Sequence, residues 1–307
     1  MKETLSPMLP QRSPRGLTTL ILAGLLTLAP ALLHAVDLGP GLYAEFTTSM
    51  GSFTCVLHHE QTPNTVANFV GLAEGTRAWM DMEHAAVARV PFYDGITFHR
   101  VAEGFVIQSG SRDGTGTDSP GYYFPDEIVP ALRHDAAGVL SMANRGADTN
   151  GAQFFVTLDA TDWLDDKHTV FGRVVDGMEV VEQIGAVPTE DEVPIDPVAL
   201  EQVRILRIGE AAEQYDAIAA APLLPRVNGV ETRISFYEEG GLGLDWELVP
   251  RTRYMVFIGG APDELYPWQA FWEWPGVLFG NQLTATEAFF TVIRVHYPEA
   301  PTDNEGS

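Results

Sequence analysis

One arginine, one glutamine, one histidine and a set of apolar rings stand in three short stretches of the chain. Phe98-His99-Arg100-Val101 runs on to Gly104-Phe105-Val106-Ile107-Gln108. Ser141-Met142-Ala143-Asn144 runs on to Asn150-Gly151-Ala152-Gln153-Phe154-Phe155. Trp163-Leu164-Asp165-Asp166-Lys167-His168 leads into Val170-Phe171-Gly172. Taken singly, these residues have ordinary explanations. Phe105, Phe155 and Leu164 would be core residues, Arg100 half of a surface ion pair, and His168 either packing or working. Covalent chemistry is disfavoured, because no Ser or Cys stands in a recognisable nucleophile elbow with a base. Cys55 is the sole cysteine, so no intramolecular disulfide or Cys-rich metal site can form. It lies in an alternating segment and reads as a small core residue. His58-His59-Glu60 closes a strand before a turn and is not read as a metal site.

In this order and at this spacing the three stretches resemble the cyclophilin family of peptidyl-prolyl cis–trans isomerases, over about residues 42–209. The closing WLDDKH-TVFG block is nearly diagnostic by itself. The resemblance implies a mainly β fold, a closed eight-stranded antiparallel barrel with two helices. It implies proline-containing polypeptide clients. Rotation about an X–Pro amide meets a barrier of roughly 20 kcal/mol, because the C–N bond has partial double-bond character. No bond breaks, so no metal or cofactor is implied. The twisted amide loses resonance and its nitrogen becomes basic. A fixed guanidinium can donate to it, which is preorganised electrostatic stabilisation.

By the family pattern that donor is Arg100, and Gln108, Phe105 and His168 complete the catalytic set. Gln108 would orient Arg100 and bond near the rotating carbonyl. Phe105, Val106, Phe155 and Leu164 would wall the proline pocket, with His168 at its edge. The Asn144 main chain, with Ala143 beside it, would hold the substrate backbone. Trp163 corresponds to the tryptophan that favours cyclosporin binding in the family, so a cyclosporin-type ligand is implied too. His99 is read as structural. Val106 stands where methionine is common, and Arg145 where a small residue is usual. Ser109-Gly110-Ser111 replaces Gly-Gly-Asp, and residues 77–91 look like an insertion. These departures bear on substrate preference and remove no catalytic residue.

The elements that must position these groups are legible in outline. Residues 42–48 and 52–58 alternate apolar and polar around Ser49-Met50-Gly51, which predicts a hairpin. Thr62-Pro63 reads as an N-cap and first helical residue, with Val66, Phe69, Val70 and Leu72 at helical spacing up to Gly75. Strands are expected at 97–101, 105–109, 138–142, 153–158, 169–175 and 199–208, and a short helix at 178–185. Many short strands with two helices suggest a closed antiparallel barrel.

The texture changes at about residue 210. The expected organisation is a signal peptide 1–35, an isomerase domain 36–209, a linker 210–225, a small all-β domain 226–298 and a disordered tail 299–307. In the small domain, strands are expected at 230–237, 243–248, 253–258 and 287–297. Its cluster Trp268, Phe271, Trp272 and Trp274 reads as core packing, because small domains need large side chains.

Composition bounds the partners. The chain has 307 residues with 18 Lys+Arg against 42 Asp+Glu, a formal net charge of -24. That argues against nucleic acid and against anionic lipid, both of which require basic surfaces. Lys2, Arg12 and Arg15 precede the apolar run Leu17–Leu28, and cleavage is expected after Ala31 or Ala35. The expectation is an exported monomer with no membrane association after cleavage, in the periplasm or else secreted. The rival reading is a proline-peptide binding module whose C-terminal domain anchors or selects a partner.

Overall fold

The computed structural model describes residues 37–236, 242–259, 265–272, 276–278 and 289–298. The expected targeting segment 1–35, the tail 299–307 and Trp274 lie outside the described residues. No helix among the described residues is long and apolar enough to cross a membrane.

The alternating segments form β1 (Gly41–Thr48) and β2 (Gly51–Leu57), joined through Ser49-Met50. Cys55 on β2 is fully buried, and burial pushes its thiol pKa well up. Helix α1 (Pro63–Ala73) begins with proline in its first turn, as read. The Thr62 side chain, however, does not cap it. The Thr62 hydroxyl turns back to the His58 carbonyl at 3.1 Å. The cap comes from Glu127, whose carboxylate accepts from the Asn64 N–H at 3.0 Å and the Thr65 N–H at 2.7 Å. An acidic group at a helix N-terminus is favoured by the helix dipole.

The inserted segment forms a small hairpin, β3 (Trp79–Asp81) with β4 (Ala86–Ala88), that the sequence reading left unassigned. Next come β5 (Ile96–Thr97), β6 (Arg100–Ala102), β7 (Val106–Ser109), β8 (Val139–Met142) and β9 (Phe154–Thr157). The expected strand 97–101 is thus split at Phe98-His99. β10 (Val170–Asp176), α2 (Met178–Gly185), β11 (Thr189–Glu190), β12 (Val193–Pro194) and β13 (Ala199–Ile208) complete the barrel.

One antiparallel sheet runs β5-β13-β1-β2-β10-β8-β9-β7-β6. Its two end strands, β5 and β6, follow one another in the chain. The sheet therefore curls round and closes through the backbone at Phe98-His99, and β5 with β6 counts as one strand of an eight-stranded ring. Inward residues of alternating strands fill it. Phe46, Phe53, Phe69, Tyr93, Phe154 and Phe171 pack there, with Phe46 stacked on Phe53 at 4.6 Å between ring centroids. Each such ring stabilises the fold by roughly 1.5–3 kcal/mol through burial.

The expected linker 210–225 packs against the barrel. It forms the one-turn helices α3 (Glu210–Glu213) and α4 (Ala217–Ala220), and Ala217, Ala221 and Leu224 join the barrel's buried cluster. Beyond it lie β14 (Arg226–Gly229), β15 (Thr232–Phe236), β16 (Leu242–Trp246), β17 (Thr252–Gly259), β18 (Tyr266–Trp272), β19 (Gly276–Leu278) and β20 (Phe289–His296). They make two sheets, β14-β20-β17-β18 and β15-β16-β19.

The first of these sheets is a middle layer. Val227, Phe257, Ile293 and Val295 belong to the barrel's buried cluster. Tyr254, Val256, Ile258 and Val292 pack instead with Leu244 and Trp246 of β16. Alternation along β17 and β20 sends successive side chains to opposite faces. Phe271 packs against this second cluster, but Trp272 is 59% exposed, with its ring centroid 5.4 Å from that of Tyr297. Core packing of the aromatic run therefore describes Phe271 and not Trp272.

Candidate active site

The same period-two alternation that fills the barrel also builds a site on its outer wall. On β6, Val101 points inward and Arg100 and Ala102 outward. On β7, Ile107 points inward and Val106 and Gln108 outward. On β9, Phe154 and Val156 point inward and Phe155 outward. The inward set belongs to the main core, whereas Ala102, Val106 and Phe155 form a separate buried cluster. Phe105, Ala143 and Leu164 pack against that cluster. The pairing Arg100↔Gln108 and Gln108↔Phe155 puts a cation, a carboxamide and a ring side by side across three strands.

The β6–β7 connection is three residues long, with Gly104 at φ +67. A left-handed residue is needed there, and glycine adopts it without a Cβ penalty. That turn carries Phe105 over the strands, with the Arg100 guanidinium 5.6 Å from its ring centroid.

Arg100, Phe105, Val106, Gln108, Ala143, Asn144, Phe155, Leu164 and His168 line one cavity of about 150 Å³. The structure brings together nine of the ten predicted residues. Trp163 stands apart: it is 61% exposed and stacks on Phe105 at 5.8 Å, outside the cavity wall. Arg145 lines a neighbouring cavity of about 140 Å³ that shares Gln108, Ala143 and Asn144 with the first. Its guanidinium donates to the Gly116 carbonyl at 2.8 Å.

Polar groups orient the wall. Gln153 Nε2 donates to the Gly116 and Asp118 carbonyls at 3.0 and 3.2 Å, which turns its Oε1 toward Gln108. Gln108 Nε2 donates to that oxygen at 3.1 Å, so Gln108 Oε1 faces Arg100 and accepts from Nη1 at 3.3 Å. On the other side Arg100 Nε donates to Glu192 Oε2 at 2.7 Å. Glu192 sits in the β11–β12 turn, and its carbonyl accepts from the Val101 N–H at 2.7 Å. The remaining guanidinium N–H groups point to no acceptor among the described residues and are available to a ligand.

His168 Nδ1 lies 2.9 Å from the Met142 carbonyl. A carbonyl only accepts, so Nδ1 carries a proton and Nε2 is the atom left for the cavity. Its ring meets Phe155 edge-on at 5.6 Å. Asn144 Nδ2 donates to the Lys167 carbonyl at 2.7 Å, which ties the second stretch to the third.

Behind Phe155 lies a Ser141–His134–Asp165 array. His134 Nδ1 is 2.9 Å from Asp165, and the Ser141 hydroxyl lies between His134 Nε2 at 2.9 Å and the Thr169 carbonyl at 3.0 Å. It resembles a hydrolytic triad in composition, but Ser141 and His134 are both fully buried, so no substrate reaches the hydroxyl. Burial lowers the His134 pKa. Burial alone would raise the Asp165 carboxyl, yet hydrogen bonds from His134 and the Arg133 charge hold it below its usual range. The array instead supports Phe155, whose ring stacks on His134 at 5.9 Å.

The residues that sequence reasoning left without a role are Gln153 and Glu192. Gln153 lies within the Asn150–Phe155 stretch, two positions before Phe155. Glu192 has no such signal.

Residues 43–210 match the family described as cyclophilin type peptidyl-prolyl cis-trans isomerase/CLD. The chain is 43% identical over 169 residues to peptidyl-prolyl cis-trans isomerase-like 1 of Aspergillus fumigatus, covering 54% of this chain and 96% of that one. It is 44% identical over 165 residues to peptidyl-prolyl cis-trans isomerase A of Mycobacterium tuberculosis, covering 53% and 91%. A crystal structure of a Cryptosporidium parvum cyclophilin-type isomerase superposes with a TM-score of 0.48 at 30% identity, over 54% of this chain and 98% of that chain.

Proposed function

The chain belongs to the cyclophilin-type peptidyl-prolyl cis–trans isomerases, and on that premise we propose that Arg100 drives X–Pro rotation in polypeptides that fold after export. The observation that carries the mechanism is the clamp on Arg100. Gln108 Oε1 holds Nη1 and Glu192 holds Nε, while the cavity floor is apolar. A proline ring seated on Val106 and Phe155 would bring its amide under the free guanidinium N–H groups. As the amide twists, its nitrogen lone pair localises and accepts a hydrogen bond that the planar amide cannot accept. The interaction therefore strengthens toward the transition state, which is the condition for raising kcat.

Arg100→Ala should lower kcat/KM for a proline peptide by about 100-fold, in line with removal of one preorganised donor. The KM should change little, because the apolar walls remain. A variant within threefold of the parent would refute the role. In the same assay a cyclosporin-type ligand is expected to inhibit, because Trp163 stands beside Phe105 at the cavity rim. Full activity at micromolar drug would count against that reading.

Export is supported by the basic start and the apolar run Leu17–Leu28. Expressed in a Gram-negative host, the chain should yield a periplasmic product whose N-terminus is residue 32 or 36. An intact N-terminus in the cytoplasmic fraction would rule out this routing.

A further inference from the structure

A cleft of about 280 Å³, sharing no lining residue with the catalytic cavity, opens beside α4 and β14. Arg77, Arg89 and Arg226 all line it, as do Thr76 and Asn228, and no Asp or Glu does. Among the described residues none of the three arginines is in an ion pair, although five others are. This is unexpected in a chain with 42 acidic residues against 18 basic ones.

Arg77 is the informative member. It is 5% exposed, its Nη1 donates to the Pro225 carbonyl at 3.3 Å, and its Nε is buried with no partner. Burial lowers its pKa; the nearby Tyr122 and Tyr215 hydroxyls oppose that shift, and the Arg226 charge adds to it. The fold nevertheless makes room for it: a Cβ at position 71 would lie 2.9 Å from the Arg77 Cβ, and that position is glycine. A buried, underpaired cation beside two more cations is costly unless an anion completes it.

We propose that this cleft binds a tetrahedral oxyanion of the phosphate class, held by Arg77, Arg89 and Arg226. Three planar forks around one cavity offer more N–H groups than the two oxygens of a carboxylate accept. Four oxygens bearing up to two charges match them better. The barrel supplies Arg77 and Arg89 and the C-terminal sheet supplies Arg226, so the ligand would join the two parts of the chain.

The test is calorimetric titration of sodium phosphate into the full chain at constant ionic strength, with sodium acetate and sodium sulfate as parallel arms. One saturable site is expected for phosphate and sulfate. The melting temperature should rise by about 5 °C at a hundredfold excess over Kd. The double variant Arg89→Gln, Arg226→Gln should bind at least tenfold more weakly. It should keep the parent's prolyl turnover, because neither residue lines the catalytic cavity, and that reports an intact fold. No saturable phosphate binding by the parent, equal affinity in the double variant, or acetate binding as tightly as phosphate would each overturn the proposal.

Discussion

Arg100 is held from two sides by unlike acceptors. Gln108 is neutral and lies on the next strand, and Glu192 is charged and lies on a turn from 92 residues further along. The turn places both Asp191 and Glu192 at positive φ, +49 and +64, which costs non-glycine residues energy. The Arg100–Glu192 pair is 36% and 50% exposed, so solvent limits it to about 1 kcal/mol or less. Its value is therefore positional. Glu192→Ala should lower kcat/KM about two- to fivefold, with KM unchanged, and Glu192→Gln should recover part of the loss through a neutral hydrogen bond. A gain in activity for Glu192→Ala would instead make Glu192 a competitor for the guanidinium. The contrast also explains what was readable. Arg100, Gln108 and Phe155 sit on neighbouring strands within the three stretches that carry the family resemblance, and that resemblance marks the site. Glu192 reaches it only because β12 folds back against β6, and nothing in the local sequence marks that contact.

At the scale of elements, alternation was the reliable signal and partnership was not. The strands of the barrel were legible because one face of each is apolar. The break at Phe98-His99 was not, since it follows from how the sheet closes. In the C-terminal region β14, β18 and β19 were missed. β17 and β20 are apolar on both faces, because each face meets a different partner. Phe257 faces the barrel's cluster and is fully buried. Phe257→Ala should cost about 3–5 kcal/mol. At a few degrees per kcal/mol the melting temperature should fall by roughly 6–20 °C. Because that core is shared, the chain should still melt in a single transition. A calorimetric trace with an unshifted barrel transition and a separate, earlier C-terminal one would show that the two regions are energetically independent.

Over the whole molecule, charge sets the terms. With 42 acidic and 18 basic side chains, most carboxylates have no cation to pair with. Solvent-exposed ion pairs such as Arg204 with Glu45 and Arg173 with Asp135 are each worth about 0–1 kcal/mol. Added salt weakens these attractions, but it also screens a like-charge repulsion that runs across the entire surface. The screening length falls from about 30 Å at 0.01 M to about 3 Å at 1 M, so long-range repulsion is removed well before contact pairs are. The excess of negative charge makes repulsion the larger contribution, and self-repulsion of this kind destabilises compact states. The melting temperature should therefore rise by several degrees between 0.01 and 1 M sodium chloride, most steeply below about 0.2 M, where the screening length changes most. Repeating the series with the Arg89→Gln, Arg226→Gln variant separates screening from anion binding at the arginine cleft. Screening acts on the whole surface, so the variant should show the same rise. A flat or falling curve in both proteins would mean that the acidic surface carries no net electrostatic strain in the folded state.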